Sequence, residues 1–314
     1  MGECVLKKVA SFSGESEDLS RKAQAAVAFA LQKEGFKLKD ILLVVGIPEA
    51  TYHYHVKQFG KENTDQPTKE LIKQLFSHFH ERYGAKRIAK ELGKLGHITN
   101  HKKVSRLMQE LGIKCIKFMR KSRKYNSYKG KVGTVAKNRL NRRFSTPLSL
   151  QKLATDVTEF KCSGEEKLYL SPILDLYNGE IIAYGINNRP SLELVMKPLE
   201  EALGYVKQHT KFRTTIHSDQ GWHYQHNRWV KALKEDKIFQ SMSRKATCAD
   251  NAAMENFFGI LKQEMYHGEK LVSYEELRSR IEVYIHWYNH VRSKEKLAGL
   301  SPVQYRIQAS QTAA

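Results

Sequence analysis

Three carboxylates stand out among the 314 residues. Asp156 lies in the middle of "KLATDVTEFKC", Asp219 directly follows "FRTTIHS", and Glu255 sits between Met254 and Asn256 with two phenylalanines behind it. An Asp in mid-strand is disfavoured, and acids at strand ends point into clefts more often than loop acids do. Glu255, Gly259 and Lys262 recur at i, i+4 and i+7, so they share one face of a helix. Met254, Phe257, Phe258, Leu261 and Met265 form its apolar face. Such a set suits phosphodiester chemistry, which needs an activated oxygen nucleophile, a stabilised leaving oxygen and in-line geometry. Two Mg²⁺ ions about 3.5–4 Å apart supply all three, and Mg²⁺ prefers carboxylate oxygens. The expectation is that Asp156 bridges two ions while Asp219 and Glu255 each hold one. Gly259 leaves room for a large ligand, and Lys262 is expected to touch a DNA phosphate.

The elements that position these acids read as α/β. "KLATDVTEFKC" is a strand candidate, "EKLYLSPILDLYN" is apolar on both faces like a central strand, and "GEIIAYGINN" is a third. "SLELVMKPLEEALGYVKQ" is a helix in which Pro198 permits a kink or a late start. A short strand ends at Asp219, a helix lies near 226–236, "IFQSMS" is another strand, and a helix covers 250–266 with Asp250 as its N-cap. Strands and helices in this order make an α/β core. His217 and Asn251 are expected to position the acids; metal-activated oxygen makes a histidine base unnecessary. Asp175 reads as a structural group, and Trp287, Tyr288 and Asn289 as packing for the C-terminal tail.

The charge is lopsided. Residues 1–150 carry 31 Lys+Arg against 13 Asp+Glu, and residues 151–314 carry 22 against 20. A basic half joined to a nearly neutral half points to a polyanion partner, here double-stranded DNA. Residues 21–36 are helix-like. "LKDILLVVGIPEATYHYHVKQF" then has helix-turn-helix spacing, with Gly46 in the turn and Pro48 near the second helix start. That helix would present Thr51, His53, Tyr54 and Lys57 to DNA. A second helical unit over 66–113 contains "ITNHKKVSRLMQELGI", with Thr99 as N-cap and Lys102, Lys103 and Arg106 off the apolar face of Val104, Leu107, Met108 and Leu111. His97 and His101 read as a surface pair. Residues 114–143 hold 12 Lys+Arg and no acid, with Phe118, Tyr125 and Tyr128 interleaved. Arg120, Lys121, Arg123, Lys124, Arg142 and Arg143 are the expected phosphate contacts of this connector. The domain plan is therefore an N-terminal helix-turn-helix (1–62), a second helical DNA-binding unit (66–113), a basic linker (114–150), a catalytic core (151–270) and a helical tail (271–314). Four scattered cysteines argue against a zinc ribbon or a disulfide framework. No run of 18 apolar residues spans a membrane, and the start lacks a secretion signal, so the expected place is the cytoplasm.

Thirty-five residues separate Asp219 from Glu255. With Asp156, this resembles the D,D(35)E signature of retroviral integrases and bacterial insertion-sequence transposases. "HSDQGWHY", "SRKATCADNAAMENFFGILKQE" and "WYNHVRSKEKLAGLSPVQYR" resemble the catalytic half of the insertion-sequence-three family, the OrfB-type product. "HERYGAKRIAKEL" with "HKKVSRLMQELGI" is similar to that family's helical module. The resemblance implies a ribonuclease-H-like integrase core behind all-α helix-turn-helix domains, Mg²⁺ dependence with Mn²⁺ able to substitute, and cleavage plus strand transfer by a copy-out, paste-in route. It also implies a small upstream DNA-binding protein, as a partner or as a frameshift fusion, and bringing two element ends together requires a homo-oligomer on DNA, at least a dimer. Relatives often carry Arg-x-His in the tail where this chain has Arg292, Ser293 and Lys294. Two other readings compete. A retired DNA-binding protein would need the first 150 residues and no triad. A structure-specific nuclease on the same fold would not need two helix-turn-helix-like units.

Overall fold

The computed structural model describes residues 20–59, 65–115, 135–244 and 247–313. Arg120, Lys121, Arg123, Lys124, Phe118, Tyr125 and Tyr128 lie outside them. The chain divides into two compact units, one up to Leu71 and one from Ile72 onward.

In the first unit, α1 (Arg21–Lys33), α2 (Leu38–Val45) and α3 (Glu49–Phe59) close on Ala25, Ala28, Leu31, Ile41, Leu42, Ile47 and Tyr52. α2 stops at Gly46, whose φ of 75° is left-handed and whose N–H donates to the Leu42 carbonyl at 2.9 Å. A side chain there would be strained, which is why glycine ends this helix. α3 turns Tyr52 inward and leaves His53, Tyr54 and Lys57 exposed and Thr51 half-buried. The helix-turn-helix spacing is thus realised.

α4 (Gln66–His78), α5 (Ala85–Lys94) and α6 (His101–Glu110) follow. Asn100, not Thr99, caps α6. The Asn100 side-chain oxygen accepts the Lys102 N–H at 2.9 Å, while the Thr99 hydroxyl bonds the His97 carbonyl. Two neighbouring residues competed for one cap, and the amide reached the second helical N–H. Lys102, Lys103 and Arg106 are exposed, and Val104, Leu107 and Met108 are buried.

The second unit's sheet has six strands: β1 (Lys152–Thr155), β2 (Thr158–Lys161), β3 (Lys167–Asp175), β4 (Ile181–Asn187), β5 (Thr215–Ser218) and β6 (Phe239–Met242). β1 and β2 pair antiparallel with one edge of β3, and β4 pairs with the other. β5 is parallel to β1, and β6 to β5. The single strand expected over "KLATDVTEFKC" is therefore two. They keep one register along β3, with Thr155 opposite Ile173 and Thr158 opposite Leu170. At the gap, the Val157 N–H goes to the Asp156 side chain at 2.8 Å and so is withdrawn from the ladder. The acid itself breaks the strand.

Helices cover both faces. α7 (Leu192–His209), α8 (Trp222–Gln225) and α9 (Asn227–Glu235) pack on one side with Leu153, Ile173, Ile216 and Met242. On the other, α10 (Ala252–Met265) and α11 (Tyr274–His290) pack on Ala154, Phe160, Leu168 and Leu174. α12 (Pro302–Ala313) follows. α7 is continuous through Pro198, with no late start. Pro198 has no N–H for the Leu194 carbonyl, and that oxygen lies against Gly185 of β4. A Cβ at Gly185 would meet it at 2.3 Å and Pro198 Cδ at 3.2 Å. Gly185→Ala is expected to lower stability by about 1–3 kcal/mol, the usual cost of overpacking. A thermal melt unchanged from wild type would show that α7 can step back freely. Among the described residues, no helix is long and apolar enough to cross a membrane.

Candidate active site

β1 and β5 are adjacent and parallel, with Ala154 level with His217. Two residues further on, Asp156 and Asp219 leave the carboxyl ends of the two strands side by side. Neighbouring strand axes lie about 4.8 Å apart, so the topology brings together two acids 63 positions apart in the chain. Glu255 occupies the first turn of α10, the helix packed on the same strand through Met254, Phe257, Phe258, Leu261 and Met265. That apolar face is the one the periodicity predicts. Glu255 is thereby left exposed at the rim while Asp156 and Asp219 are half-buried.

The electrostatics ties the three together. Burial first, then the Asp219 charge, and further the Glu255 charge push the Asp156 carboxyl well above the usual carboxylate range. Burial also raises Asp219 and Glu255. Only neutral N–H donors are seen on the two aspartates among the described residues: Val157 N–H and the Asn251 amide on Asp156, at 2.8 and 3.1 Å, and Gly221 N–H on Asp219 at 2.8 Å. A crowded pair of carboxylates with no bonded cation and all-oxygen donors fits a hard divalent ion. Among the described residues, no three His, Cys, Asp or Glu side chains converge closely enough to close on one ion. The arrangement is an open pair with Glu255 beside it.

The supporting residues are more specific than their sequence suggested. Asn251 donates its side-chain amide to Asp156 at 3.1 Å. It occupies the N-cap position of α10, after a 3₁₀ turn over Cys248–Asn251, so Asp250 is not the cap. The Asp250 carboxylate is fully buried and engaged by Arg142, Arg244 and Asn138. The Arg244 bond above all holds it well below the usual range. Asn251→Ala is expected to cut strand nicking about tenfold, the low end for losing a partner that orients a metal ligand. DNA affinity should be unaltered, and a gel-shift titration beside the nicking assay separates the two effects.

His217 is completely buried between strands. Its Nδ1 meets Ser241 Oγ at 2.8 Å and its Nε2 meets Ser243 Oγ at 3.1 Å. Ser241 Oγ already accepts two backbone N–H groups, so its proton goes to Nδ1 and the imidazole proton sits on Nε2. Burial lowers the His217 pKa. A neutral, doubly bonded ring has no free nitrogen for proton abstraction. Lys262 is drawn onto β2, where Nζ donates to Thr158 Oγ1 at 2.6 Å and the Glu159 carbonyl at 3.0 Å. The helix face around Gly259 is open, with nothing within 4 Å of an added Cβ. Asp175 is a buried staple that accepts from Ser149, Leu150 N–H and Tyr177 N–H. Tyr288 and Asn289 are buried in the packing of α11, and Asn289 bonds both backbone groups of Ile181. Arg143 contributes its carbonyl to Lys152 Nζ at 2.9 Å.

Residues 147–248 and 255–309 match the Integrase core domain family, and residues 62–122 match the HTH-like domain family. The chain is 39% identical over 276 residues to the putative transposase InsK for insertion sequence element IS150 of Escherichia coli K12, covering 88% of this chain and 95% of that one. The chain belongs to the insertion-sequence-three transposase family. The transposase is also 48% identical over 212 residues to an uncharacterized transposase-like protein of Haemophilus influenzae, covering 67% of this chain and 94% of that one. The HTLV-2 integrase catalytic core domain in complex with magnesium is similar over 51% of this chain and 97% of that one, at 16% identity and a TM-score of 0.37. The transposase has an α/β integrase core, and an HTH-like helical region precedes it.

One feature of this transposase escaped the sequence. Glu264 on α10 and Arg292 after α11 form a buried bidentate ion pair, Nη2 to Oε1 at 2.6 Å and Nε to Oε2 at 2.8 Å. Tyr284 donates to the same carboxylate at 2.7 Å. The sequence signal was slight: Glu264 falls on the apolar side of α10, one residue before Met265.

Proposed function

We propose that this transposase cleaves and joins DNA strands at insertion-sequence ends by divalent-metal chemistry at Asp156, Asp219 and Glu255. The observation that carries this reading is the level placement of two crowded aspartates at the ends of parallel β1 and β5, beside the first turn of α10. Mg²⁺, with Mn²⁺ as a substitute, would be held by Asp156 between two sites, with Asp219 and Glu255 each completing one. When bound, the ions supply an activated oxygen and charge stabilisation on the phosphate. The chain's own residues do the rest. Asn251 and the Val157 N–H orient Asp156, Gly221 N–H orients Asp219, and the buried His217 locks β5 to β6.

The substrate is double-stranded DNA. Thr51, His53, Tyr54 and Lys57 on α3 and Lys102, Lys103 and Arg106 on α6 are the end-binding surfaces, and the basic side chains of the 114–150 linker add phosphate contacts. Lys262 and the open Gly259 face border the phosphate path. The route is copy-out, paste-in, carried out by at least a dimer in the bacterial cytoplasm, with an upstream small DNA-binding protein as partner or frameshift fusion.

The test uses labelled DNA carrying the element's own terminal repeats, with Mg²⁺ or with EDTA. Nicking at the element tip, followed by joining, is expected with Mg²⁺ and not with EDTA. Binding without nicking, even after the upstream product is added, would instead identify a retired DNA-binding protein.

A further inference from the structure

The basic connector is expected to touch DNA, yet its last part is built into the core. The Ala136 N–H points at Met242 Sδ of β6 at 3.3 Å, and the Arg139 and Leu140 N–H groups both donate to Ser241 Oγ, at 2.9 and 3.3 Å. Ser241 is the same hydroxyl that meets His217, two residues before Asp219. Further along, Asn138 Nδ2 and Arg142 Nε donate to the two oxygens of Asp250 at 3.0 and 2.9 Å. Arg244 fills the remaining directions with its N–H, Nε and Nη2, at 3.0, 2.9 and 2.9 Å. Asp250 is followed immediately by Asn251, the residue that holds Asp156.

The connector is therefore bonded to the support of each strand-end aspartate: through Ser241 and His217 on the Asp219 side, and through Asp250 and Asn251 on the Asp156 side. We propose that residues 136–142 are a positioning strap, and that their seating on β6 and Asp250 sets the orientation of the two aspartates for metal. This rests on the proposed metal chemistry of those acids. Five N–H donors converge on a carboxylate with about four lone-pair directions, so Asp250 has no capacity left to act on anything else. The Arg142 side chain is 52% exposed although its partner is fully buried. A basic group held at the surface by a buried anchor lets an event on the connector reach the site without unfolding the core.

The experiment compares Arg142→Gln, Arg142→Lys and Asn138→Ala in the full chain. For Arg142→Gln, the Mg²⁺ concentration for half-maximal nicking is expected to rise about tenfold, as when a partner of a metal ligand is lost. DNA affinity should change no more than one phosphate contact allows. Arg142→Lys should recover part of the metal dependence, and Asn138→Ala should shift it in the same direction. In parallel, the ¹⁵N side-chain signal of Asn251 is followed in metal-free protein and is expected to move in Arg142→Gln. An unmoved Asn251 signal overturns the strap, as does an unchanged Mg²⁺ dependence beside weakened DNA binding. If the wild type itself never nicks, the proposed function fails, and the Asn251 signal still decides the strap.

Discussion

Asp156→Asn should abolish strand cleavage and joining, by at least about a thousandfold, while making the metal-free protein more stable at neutral pH. The catalytic loss corresponds to roughly 4 kcal/mol of barrier and follows from removing the carboxylate that both ions would share. The gain in stability follows from the crowding. Burial and the Asp219 and Glu255 charges raise the folded-state pKa of Asp156, so the folded protein binds protons that the unfolded chain, with a carboxyl near about 3.9, has already lost. Stability therefore falls as pH rises from the ordinary carboxylate range through the raised folded value, and the penalty is fully present above it. Asparagine carries no charge and removes this dependence. Mg²⁺ should offset the same repulsion in wild type and raise its melting temperature near pH 7, with a much smaller effect in the variant. Paired thermal melts across about pH 4 to 8, with and without Mg²⁺, measure both. A variant that still nicks within tenfold of wild type would sink the assignment. So would wild-type and variant melts with the same pH slope.

The largest structural effect is expected at the Glu264–Arg292 pair. Both residues are almost fully buried, at 1% and 2% exposure. Arg292→Met leaves the Glu264 carboxylate with the Tyr284 hydroxyl and the longer ion pair to Arg87, at 3.7 Å, in place of the bidentate guanidinium. Removing one partner of a buried pair costs about 3–5 kcal/mol, a large share of the roughly 5–15 kcal/mol that holds a domain folded. Replacing both partners with apolar residues of similar volume is often close to neutral. The double variant Glu264→Leu/Arg292→Met should therefore be more stable than Arg292→Met alone. Urea unfolding of the two singles and the double closes the cycle; strictly additive losses would mean the pair is not a unit.

How much of this was legible follows from what each signal depends on. The buried face of α10 was legible because five apolar residues repeat at helical spacing, and burial follows spacing directly. The two helix-turn-helix helices were legible because Gly46 and Pro48 mark the turn. The break between β1 and β2 was not, because β-branched and apolar residues flank Asp156 on both sides, while the bond from Val157 N–H to Asp156 interrupts the ladder. The caps were off by one residue at Asn100 and Asn251, since adjacent polar residues compete and the winner is set by what else holds the loser. At α10, Asp250 was lost to the guanidiniums of Arg244 and Arg142, the latter 108 positions earlier in the chain. Glu264 was marked only by its place on the apolar side of α10, and Arg292 read as an ordinary surface charge until α11 brings the two together.

The route by which the site is assembled has a consequence during synthesis. Asp156 and Asp219 become neighbours when β5 joins β1, but Glu255 arrives with α10, and the apolar face of α10 is covered by Leu277, Ile281, Tyr284 and Ile285 of α11. Chains emerge amino end first and fold by units, and pairings between distant segments form late. A nascent or prematurely released chain can thus hold a folded amino-terminal helical unit while its carboxylates are still apart. With the DNA-binding role proposed above for those helices, such a product would occupy DNA without cutting it, and interrupted translation would yield a competitor of the enzyme rather than a stray nuclease.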